Sequence, residues 1–536
     1  TGVKLVNIYL LFLQTMGLLL ENLIVEIFLG SFLLLWIFYW YIMRGYDYWE
    51  QRGVPFIKPQ FPFGSTKEIT LAKTFIGKAH ENFYNQFPNE RFYGILEFHR
   101  PTLVVRDPEL IKMIMVKDFQ CFTDRGSVIG NTREYIMKHL VNLVGQEWKD
   151  MRAKLTPTFT SGKIKLMFAL MEKCSEQLQV LLESEIQQDK NIDVKTVLSK
   201  FTMDVIASCA FGVETSALTE EGKKFYAAVK GPAKKPSIKT NLTRMLALAF
   251  PSVVNILRLN LVRPELRDFL TNMVRNTVEH RQKNNIKRND FVDLLMNIKY
   301  IKDEWEENRD VSSKSNDQVS EGLTIEEMTA QSFVFFLAGF ETASSLMTFC
   351  LLELACNPHI QEQLYQQIQE AVDRNEGKIS YQMMTEIPLM DQVINETLRL
   401  YGTVHVLTRK CTQPYKIPDS DFTVEKDMKV IIPVYALHHD PQYYPDPYEF
   451  KPERFLPEET KKRHPYVFLP FGEGPRNCIG MRFGLLQAKV GLATVMLNFQ
   501  ANLPPEQEVP VQFNNQAIIL MPAKPILLKF SHRKNV

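Results

Sequence analysis

The stretch Phe471-Gly-Glu-Gly-Pro-Arg-Asn-Cys-Ile-Gly480 places one cysteine, Cys478, in a glycine-rich loop. Its three glycines permit backbone conformations that are closed to other residues and let a flat ligand approach the main chain. Amide N–H groups in such a loop can stabilise the sulfur as a thiolate, the form that binds a metal ion. Arg476 adds a fixed cation that suits a carboxylate. The stretch therefore predicts a site for a flat ligand that carries a carboxylate and a metal ion, with Cys478 binding the metal ion.

Two other interpretations of Cys478 are a buried structural cysteine beside a glycine turn and a zinc site. With 36 Phe, 24 Gly and 7 Cys in 536 residues, the pattern Phe-x-x-Gly-x-Arg-x-Cys-x-Gly has a chance of about one in ten thousand of arising anywhere in the chain. That chance disfavours the first interpretation. Zinc is disfavoured because no other cysteine or histidine lies at ligand spacing around Cys478.

The pattern at residues 471–480 resembles the haem-ligand loop of the cytochrome P-450 superfamily. The resemblance implies a mainly α fold with small β-sheets (α+β), haem b (iron protoporphyrin IX) as the cofactor, and the Cys478 thiolate as axial ligand of its iron. It covers nearly everything from Pro55 to the C-terminus. The loop residues that it places against the haem are Phe471, Gly472, Arg476 and Gly480.

Length and composition favour one large catalytic domain, which we place at residues 65–536. The chain of 536 residues has no internal repeat, and 45% of its residues are hydrophobic, enough to fill a sizeable core. A formal charge of +2 gives no reason to propose nucleic acid as a partner. The seven cysteines are odd in number and lack a Cys-x-x-Cys pair, which indicates free thiols in a reducing compartment.

Residues 23–43 form a predicted transmembrane anchor. The 17 residues Ile27–Met43 carry no charge, and tryptophan and tyrosine gather at their C-terminal end. Arg44 follows the segment and acids precede it, which predicts a single-pass protein of the endoplasmic reticulum membrane with a cytosolic catalytic domain. A buried core helix is the alternative interpretation. A cleaved signal peptide is disfavoured, because no small-x-small cleavage site follows the apolar run. Residues 1–22 are an N-terminal lead, of which 1–15 precede the first methionine and are expected to be an artefact.

The segment 44–64 is predicted to connect anchor and body. Three prolines lie between Gly53 and Gly64, and prolines stiffen an extended chain. The segment resembles the proline-rich hinge of microsomal members of the family. The stretch from Gly53 to Gly64 is therefore expected to be a stiff, extended connector.

In the first part of the body, alternating apolar residues from Tyr93 to Arg106 predict two short strands that turn near Arg100-Pro101. Further on, Trp148 and Arg152 lie four apart, on one face of a predicted helix. By itself such a pair is more often surface packing. The resemblance implies instead that this helix lies over the haem and that both side chains reach its propionates.

A long apolar helix is predicted after the capping box Thr324-Ile-Glu-Glu327 and before Asn357-Pro358. In its middle, Glu341 and Thr342 place an acid and an alcohol in an apolar interior, where polar groups are costly. A helix kink with hydrogen-bonded polar groups would also explain them. The resemblance implies that Thr342, with Glu341, guides protons to iron-bound dioxygen. The substrate-pocket residues that it implies are Phe122, Ala338, Thr403 and Val404.

The pair Glu396-x-x-Arg399 is a weak signal by itself, and Glu306–Arg309 offers a second such pair in a polar stretch. The order of motifs decides between them, because Glu396 lies between the long apolar helix and the cysteine loop, and Arg454 follows. The resemblance implies that Glu396, Arg399 and Arg454 form a buried ion network that holds the haem loop. It also implies that Arg409 pairs with a propionate.

Two further segments carry expectations of their own. Residues 241–261 are apolar but interrupted by Pro251, which fits either a core helix or a loop that dips into the membrane. Residues 303–322 are polar and charged, and we expect an exposed loop there. After Tyr401, Gly402 and Thr403 replace the double proline that is usual in the family.

The sequence as a whole is interpreted as a haem-thiolate monooxygenase that hydroxylates or epoxidises lipophilic small molecules. The motifs look most like the microsomal branch that contains insect detoxification enzymes, which favours xenobiotics such as insecticides and plant compounds. That branch implies electrons from NADPH through an NADPH-cytochrome reductase, with cytochrome b5 as a second donor. A basic docking surface for it is expected at Lys149, Lys154, Lys461, Lys462 and Arg463, although ordinary solvated side chains explain these residues equally well.

Three alternatives remain open. The same chemistry could act on endogenous hormones or fatty acids. A peroxide isomerase or dehydratase on the same scaffold would need no reductase, but such members tend to lose the acid and alcohol pair that this chain retains. A haem-containing protein that only sequesters ligands would bind haem without consuming NADPH.

Overall fold

The structure is a computed structural model. It describes residues 23–126, 134–212, 262–298 and 323–533, apart from positions 189, 289 and 518, together with residues 219, 222 and 226. Four subjects of sequence prediction lie outside the described residues: the lead 1–22, the apolar segment 241–261, the polar segment 303–322, and the pair Glu306–Arg309 within it.

The described chain is mainly helical, as the sequence predicts. Fifteen α-helices are described, labelled α1 to α15 in chain order: Leu23–Met43, Lys67–Thr70, Ile76–Tyr84, Pro108–Lys112, Gly145–Leu155, Ser161–Ile186, Val194–Ile206, Pro264–Asn284, Phe291–Met296, Ile325–Cys356, Pro358–Arg374, Pro388–Leu400, Val434–His438, Pro457–Lys462 and Met481–Asn498.

Nine short strands form three small sheets. They are labelled β1 to β9: Phe92–Glu97, Arg100–Val105, Ile192–Asp193, Leu407–Lys410, Tyr415–Lys416, Thr423–Val424, Lys429–Ile432, Phe499–Asn502 and Leu527–His532. The largest sheet has the order β1-β2-β7-β4, in which only β2 and β7 are parallel. The others are β3-β9-β8 and β5-β6. The predicted hairpin is confirmed as β1 and β2, and its turn falls at Phe98, whose φ is +58°.

Helix α10 is the central element of the fold. The predicted capping box is confirmed at its start, where the Thr324 hydroxyl accepts from the Glu327 N–H at 3.1 Å and the Glu327 carboxylate accepts from the Thr324 N–H at 2.9 Å. The helix runs for 32 residues and ends where Pro358 begins α11. Although α10 is long and apolar enough to cross a membrane, most of it is buried against other helices.

Helices α7, α12 and α15 pack against α10. The closest approach to α7 depends on a glycine, because a Cβ on Gly339 would lie 2.5 Å from the Ile206 side chain. Farther along, the Thr202 hydroxyl donates to the Phe340 carbonyl at 3.0 Å. The small residue at 339 therefore lets α7 lie directly against the middle of α10.

Segment 44–64 begins with turns, ahead of the stretch from Gly53 to Gly64 that is predicted to be extended. Residues 44–49 form turns, and a 3-10 helix covers Glu50–Arg52. Trp49 is fully buried and donates from its indole N–H to the Ile95 carbonyl at 2.9 Å, in space that Gly94 leaves open. Burial of this large ring stabilises the turn against the body, and the sequence pattern had weighed only the prolines.

The N-terminal helix α1 differs from the others in its surroundings. Its large apolar side chains from Ile27 to Trp40 are exposed, whereas Ile42 in its last turn is buried. Phe61 lies 5.3 Å from the Tyr39 ring, between ring centroids, and thus places the end of α1 beside the connector. An exposed apolar helix of this kind needs a covering that the described protein does not provide.

Candidate active site

The cysteine loop lies between β7 and α15 in the chain, and its geometry depends on two glycines. Gly472 and Gly474 have φ values of +67° and +74°. A Cβ on Gly474 would also collide with the Met115 carbonyl oxygen. Gly480 differs, because its φ is −88° and the nearest atom to an added Cβ is 4.0 Å away. The expectation of an unusual backbone conformation is therefore wrong at Gly480, where the missing side chain leaves space instead.

Cys478 is surrounded by protein, yet its side chain is accessible. Its N–H donates to the Phe471 carbonyl at 2.9 Å, which closes the loop. Burial raises the pKa of the Cys478 thiol, while the Gly480 N–H, Arg125 and Arg152 act to lower it. An accessible sulfur facing an N–H group and two cations is suited to a metal ion, because the metal favours the thiolate that burial alone disfavours.

A cluster of arginines lies beside this loop. Arg409, on β4, and Arg476, in the loop, are both buried, and Arg125 donates to the Arg476 carbonyl at 3.2 Å. Burial lowers the pKa of Arg409, and the neighbouring Arg125 and Arg476 lower it further. Burial likewise lowers the pKa of Arg476. The cluster thus concentrates positive charge inside the protein, which is costly unless an anion is present.

Few acids of the described chain balance these cations. The Asp124 carboxylate lies 3.8 Å from Arg476 Nη1, and no described Asp or Glu forms an ion pair with Arg409. The Nε atoms of Arg409 and Arg476 are buried without a hydrogen-bond partner in the described structure. The other Arg476 nitrogens donate to the carbonyls of Thr123, Val141 and Leu143.

Helix α5 places Trp148 and Arg152 against the same loop. The Arg152 guanidinium donates to both the carbonyl and the side-chain oxygen of Asn477, each at 2.9 Å. Trp148 is buried, and its ring lies 4.7 Å from the Arg476 guanidinium. Both side chains therefore meet the residues flanking Cys478, and Arg152 engages the loop itself by a bidentate contact.

The residues present fit a haem. Cys478 offers an accessible sulfur for iron, and the buried guanidinium groups with unused Nε atoms suit two carboxylates. Phe471 and Gly472 precede the sulfur in the same loop. The residues fit the haem because of charge. Buried guanidinium groups that have no acid partner can be neutralised by a group with two negative charges.

A second arginine cluster lies where α12 meets the segment after α13. Glu396 and Arg399 are fully buried and joined by two hydrogen bonds of 2.7 and 2.8 Å. Arg454 Nε lies 3.3 Å from the Glu396 carboxylate. The remaining Arg399 donors reach the carbonyls of His438, Pro447 and Glu449. The structure thus brings the three predicted network residues together.

The acid and alcohol of α10 point to different neighbours. The Thr342 hydroxyl donates to the Ala338 carbonyl at 2.6 Å. The Glu341 carboxylate lies 2.9 Å from Lys195 Nζ, on α7. The sequence motif implied nothing about Lys195, because 146 residues separate it from Glu341.

The four predicted pocket residues differ in their exposure. Ala338 is exposed in the middle of α10, as are its neighbour Leu337 and, after α12, Val404. Thr403 is buried, and its carbonyl accepts from the Leu520 N–H at 3.1 Å. Phe122 is fully buried, with its ring 5.0 Å from that of Tyr415. Its assignment to the substrate pocket stays a prediction.

Sequence analysis did not identify three residues of the candidate site: Arg125, Lys195 and Leu337. For Arg125 the available signal was a cation next to the acid Asp124. Leu337 precedes the predicted Ala338 directly. Lys195 gave no signal, since its role depends on how α7 packs on α10.

The fold and the site together define a protein that holds a flat, negatively charged group by a cysteine thiolate. The sequence model of the family described as cytochrome P450 matches residues 58–530. The chain therefore belongs to the cytochrome P450 family. This membership makes it a haem-thiolate monooxygenase that receives electrons from a redox partner.

Insect members of the family are among the proteins similar to this chain. Cytochrome P450 6a8 of Drosophila melanogaster is 37% identical over 92% of this chain and 97% of its own length. Cytochrome P450 6a2 of the same fly is 37% identical, over 89% and 94% of the two chains. Cytochrome P450 6A1 of Musca domestica is 36% identical, over 91% and 94%. The similarity thus extends over nearly the whole catalytic body.

Proposed function

We propose that this monooxygenase oxidises lipophilic xenobiotics, such as insecticides and plant compounds, by hydroxylation or epoxidation. The observation that carries the proposal is the exposure of Leu337, Ala338 and Val404, apolar residues that belong to otherwise buried parts of the body. Apolar walls favour apolar ligands, because such ligands leave water when they bind. The likeness of its motifs to insect detoxification enzymes adds to this support.

We assign the haem contacts to residues of the cysteine loop and its neighbours. Cys478 would bind the iron, with Phe471, Gly472 and Gly480 around it. Arg409, Arg476 and Arg125 would bind the propionates, supported by the unused Nε atoms and the shortage of acids. Trp148 and Arg152 would support the loop through the contacts already described. Glu396, Arg399 and Arg454 would hold the loop from the other side.

When bound, the haem supplies the activation of dioxygen, and the protein supplies protons. Thr342 is assigned the last step of proton delivery, because its hydroxyl is exposed and held at a fixed angle by the Ala338 carbonyl. Glu341 is assigned the supply of protons to Thr342, because it is the next residue and reaches the edge of the helix bundle. A hydroxyl can pass on a proton only if another group replaces it, which requires such an acid nearby.

Electrons would come from NADPH through an NADPH-cytochrome reductase, with cytochrome b5 as a second donor. Lys149, Lys461 and Lys462 are exposed and could form part of a basic docking surface. Lys462 also pairs with Glu459 at 2.6 Å, so that part of its charge is balanced locally. Charge reversal at Lys149 and Lys461 should slow reductase-driven turnover if this surface is used.

The protein is proposed to be a single-pass protein of the endoplasmic reticulum membrane. Helix α1, at 23–43, would span the bilayer, supported by its length and its exposed apolar side chains. Residues 44–64 would follow as the connector and 65–536 as the cytosolic catalytic domain. Removal of residues 1–43 would then release the protein from membranes with its haem in place.

The experiment that tests the substrate class is an absorption titration of the full-length protein in membranes, together with an NADPH reductase. Four probes represent the classes: permethrin, limonene, progesterone and lauric acid. The xenobiotic proposal predicts a shift of the haem band and coupled NADPH consumption with permethrin or limonene. A response to progesterone or lauric acid alone would favour an endogenous substrate. A haem-loaded protein that consumed no NADPH with any probe would contradict the proposal.

A further inference from the structure

Lys195 lies in an unusual place for a lysine. It occupies the first turn of α7, which begins at Val194 with Asp193 as its cap. A cation in the first turn of a helix opposes the positive end of the helix dipole. Its position therefore needs a local source of stabilisation, and α10 supplies it.

The Lys195 ammonium meets four oxygen atoms of α10. Nζ lies 2.7 Å from Ser344 Oγ, 2.8 Å from Ser345 Oγ and 3.1 Å from the Glu341 carbonyl, and it donates to all three. The fourth oxygen, Glu341 Oε1, lies 2.9 Å away. An ammonium group has only three N–H donors. The hydrogen bonds thus fix the lysine on α10, and the Glu341 carboxylate adds a further contact with that helix.

The contact with the carboxylate is electrostatic. Although the distance is short, Glu341 Oε1 receives no properly directed hydrogen bond from any described donor. Both side chains are largely but not fully buried, at 14% exposure for Lys195 and 17% for Glu341. Glu341 Oε1 is itself buried, so the exposed fraction belongs to the rest of the side chain. The carboxylate can leave the lysine without breaking a directed hydrogen bond.

We propose that Lys195 is a positioning residue that holds the Glu341 carboxylate at the seam of α7 and α10, next to Thr342. The inference rests on the proton-supply role given to Glu341 under the proposed function. In this arrangement the carboxylate takes up a proton that water relays from the bulk solvent, turns away from Lys195, and gives the proton toward the Thr342 hydroxyl. It returns to the ammonium as a carboxylate.

The overall reaction shows that slow proton delivery costs substrate oxidation and yields hydrogen peroxide instead. In the productive reaction, substrate RH, O2, NADPH and one proton give ROH, water and NADP⁺. Without proton delivery to the oxygen atom that leaves as water, O2, NADPH and one proton give hydrogen peroxide and NADP⁺. Both reactions use two electrons, so the division between product and peroxide reports on proton supply.

The test uses full-length Lys195→Met, Lys195→Gln and Lys195→Arg, with whichever of the four probes gives the largest spectral shift. We expect product per NADPH to fall by roughly 10-fold in Lys195→Met, a small part of the ~10²–10⁴ that a positioned proton donor contributes. Hydrogen peroxide should rise correspondingly, and the rate ratio between H2O and D2O should increase. Lys195→Arg should retain near-normal coupling because it keeps the charge.

Lys195→Gln separates charge from hydrogen bonding. Glutamine can still donate to Ser344 and Ser345, so a purely structural role predicts normal coupling in this variant. The ion-pair role predicts that Lys195→Gln is uncoupled like Lys195→Met, and normal coupling would overturn the inference. Lys200→Met is the control, because Lys200 lies on the same helix and forms no hydrogen bond or ion pair with these α10 side chains in the described chain.

A second measurement needs no turnover. The thermal midpoints of Lys195→Met, Glu341→Gln and the double variant form a cycle, in which the pair predicts a double loss smaller than the sum of the single losses. Additive losses would overturn the pairing. If Glu341→Gln itself leaves coupling normal, the proposed role of Glu341 fails. If Glu341→Gln is uncoupled while Lys195→Met is normal, the inference about Lys195 alone fails.

Discussion

Arg399 and Arg409 are both buried arginines, ten residues apart in the chain, but their surroundings in the protein differ. Arg399 has its own acid, and its guanidinium forms two hydrogen bonds with Glu396, at 2.7 and 2.8 Å. Arg409 forms no ion pair with a described acid and keeps a buried Nε without a partner. The charge of a buried cation with an acid partner is balanced within the protein. The charge of a buried cation without an acid partner requires a negatively charged ligand to balance it.

The presence or absence of an acid partner distinguishes the arginines that stabilise the fold from those that belong to the ligand site. This distinction does not depend on sequence similarity. Arg399 of the Glu396 cluster donates to the backbone carbonyls around it, and the buried Nε of Arg454, which has no directed hydrogen bond, lies 3.3 Å from the Glu396 carboxylate. The Arg409 cluster surrounds an accessible thiol and is held at a cost in desolvation. His438 connects the two: its carbonyl accepts from Arg399, and its Nε2 accepts from the Leu469 N–H at 2.9 Å, just before the cysteine loop.

The largest expected effect is on the thiol itself. Cys478→Ser should fold but lose all oxidation of substrate, because a serine hydroxyl does not provide a thiolate. The absorption spectrum of the reduced, carbon monoxide-treated protein should lose its thiolate signature. Cys356→Ser, at another free and partly accessible cysteine, is the matched control and should keep it. Retention of the signature in Cys478→Ser would show that the iron ligand lies elsewhere.

A direct test of the comparison replaces each arginine by methionine. Arg399→Met should lower stability by about 3–5 kcal/mol, because it leaves the Glu396 charge buried with weaker partners. Arg409→Met should leave thermal stability close to normal, since it removes a cation without an acid. Its effect should be on haem retention, roughly 10-fold or about 1.4 kcal/mol. Thermal unfolding and the rate of haem loss distinguish the two, and equal destabilisation would remove the distinction.

Two glycines of the cysteine loop should respond differently to alanine. Gly474→Ala should lower stability by at least about 1–2 kcal/mol, the cost of an L-residue in the left-handed region, with the Met115 carbonyl adding to it. Gly480→Ala should leave the thermal midpoint nearly unchanged, because its φ of −88° suits alanine. Any change of haem affinity in Gly480→Ala would then report on space for the ligand. Equal loss of stability in both variants would contradict this geometry.

The last expected effect is a pH dependence at the link between the clusters, which is small near neutral pH and grows as the pH falls. Burial, with His439 and Arg399, lowers the pKa of His438 to about 3, from a usual value of 6.5. The unfolded chain therefore binds a proton that the folded protein excludes, so the stability from His438 is full above pH 6.5 and declines as pH falls. The decline should be about 1.4 kcal/mol per pH unit.

Unfolding midpoints measured from pH 7 to pH 4.5 test this slope. His438→Gln keeps an acceptor for the Leu469 N–H but cannot titrate, so its midpoint should fall less steeply with pH. His359→Gln, at an exposed histidine, should follow the normal curve. Parallel curves for all three proteins would mean that His438 does not supply the acid sensitivity.

Local patterns allowed the sequence to predict several parts of the molecule. The capping box at Thr324, the 32-residue helix after it, the β1–β2 hairpin and the family itself all follow from residues close together in the chain. Such features depend on backbone propensity and short-range hydrogen bonds. The cysteine loop is likewise a contiguous motif of ten residues.

Only the tertiary structure decided which of these residues meet. It placed Phe122 in the core, folded residues 44–53 against β1, and brought Lys195 to Glu341. It also showed which buried arginines have an acid and which do not. A sequence states what each side chain can offer, but pairing depends on packing between distant elements, and a charge is satisfied or unsatisfied only by the neighbours that packing provides.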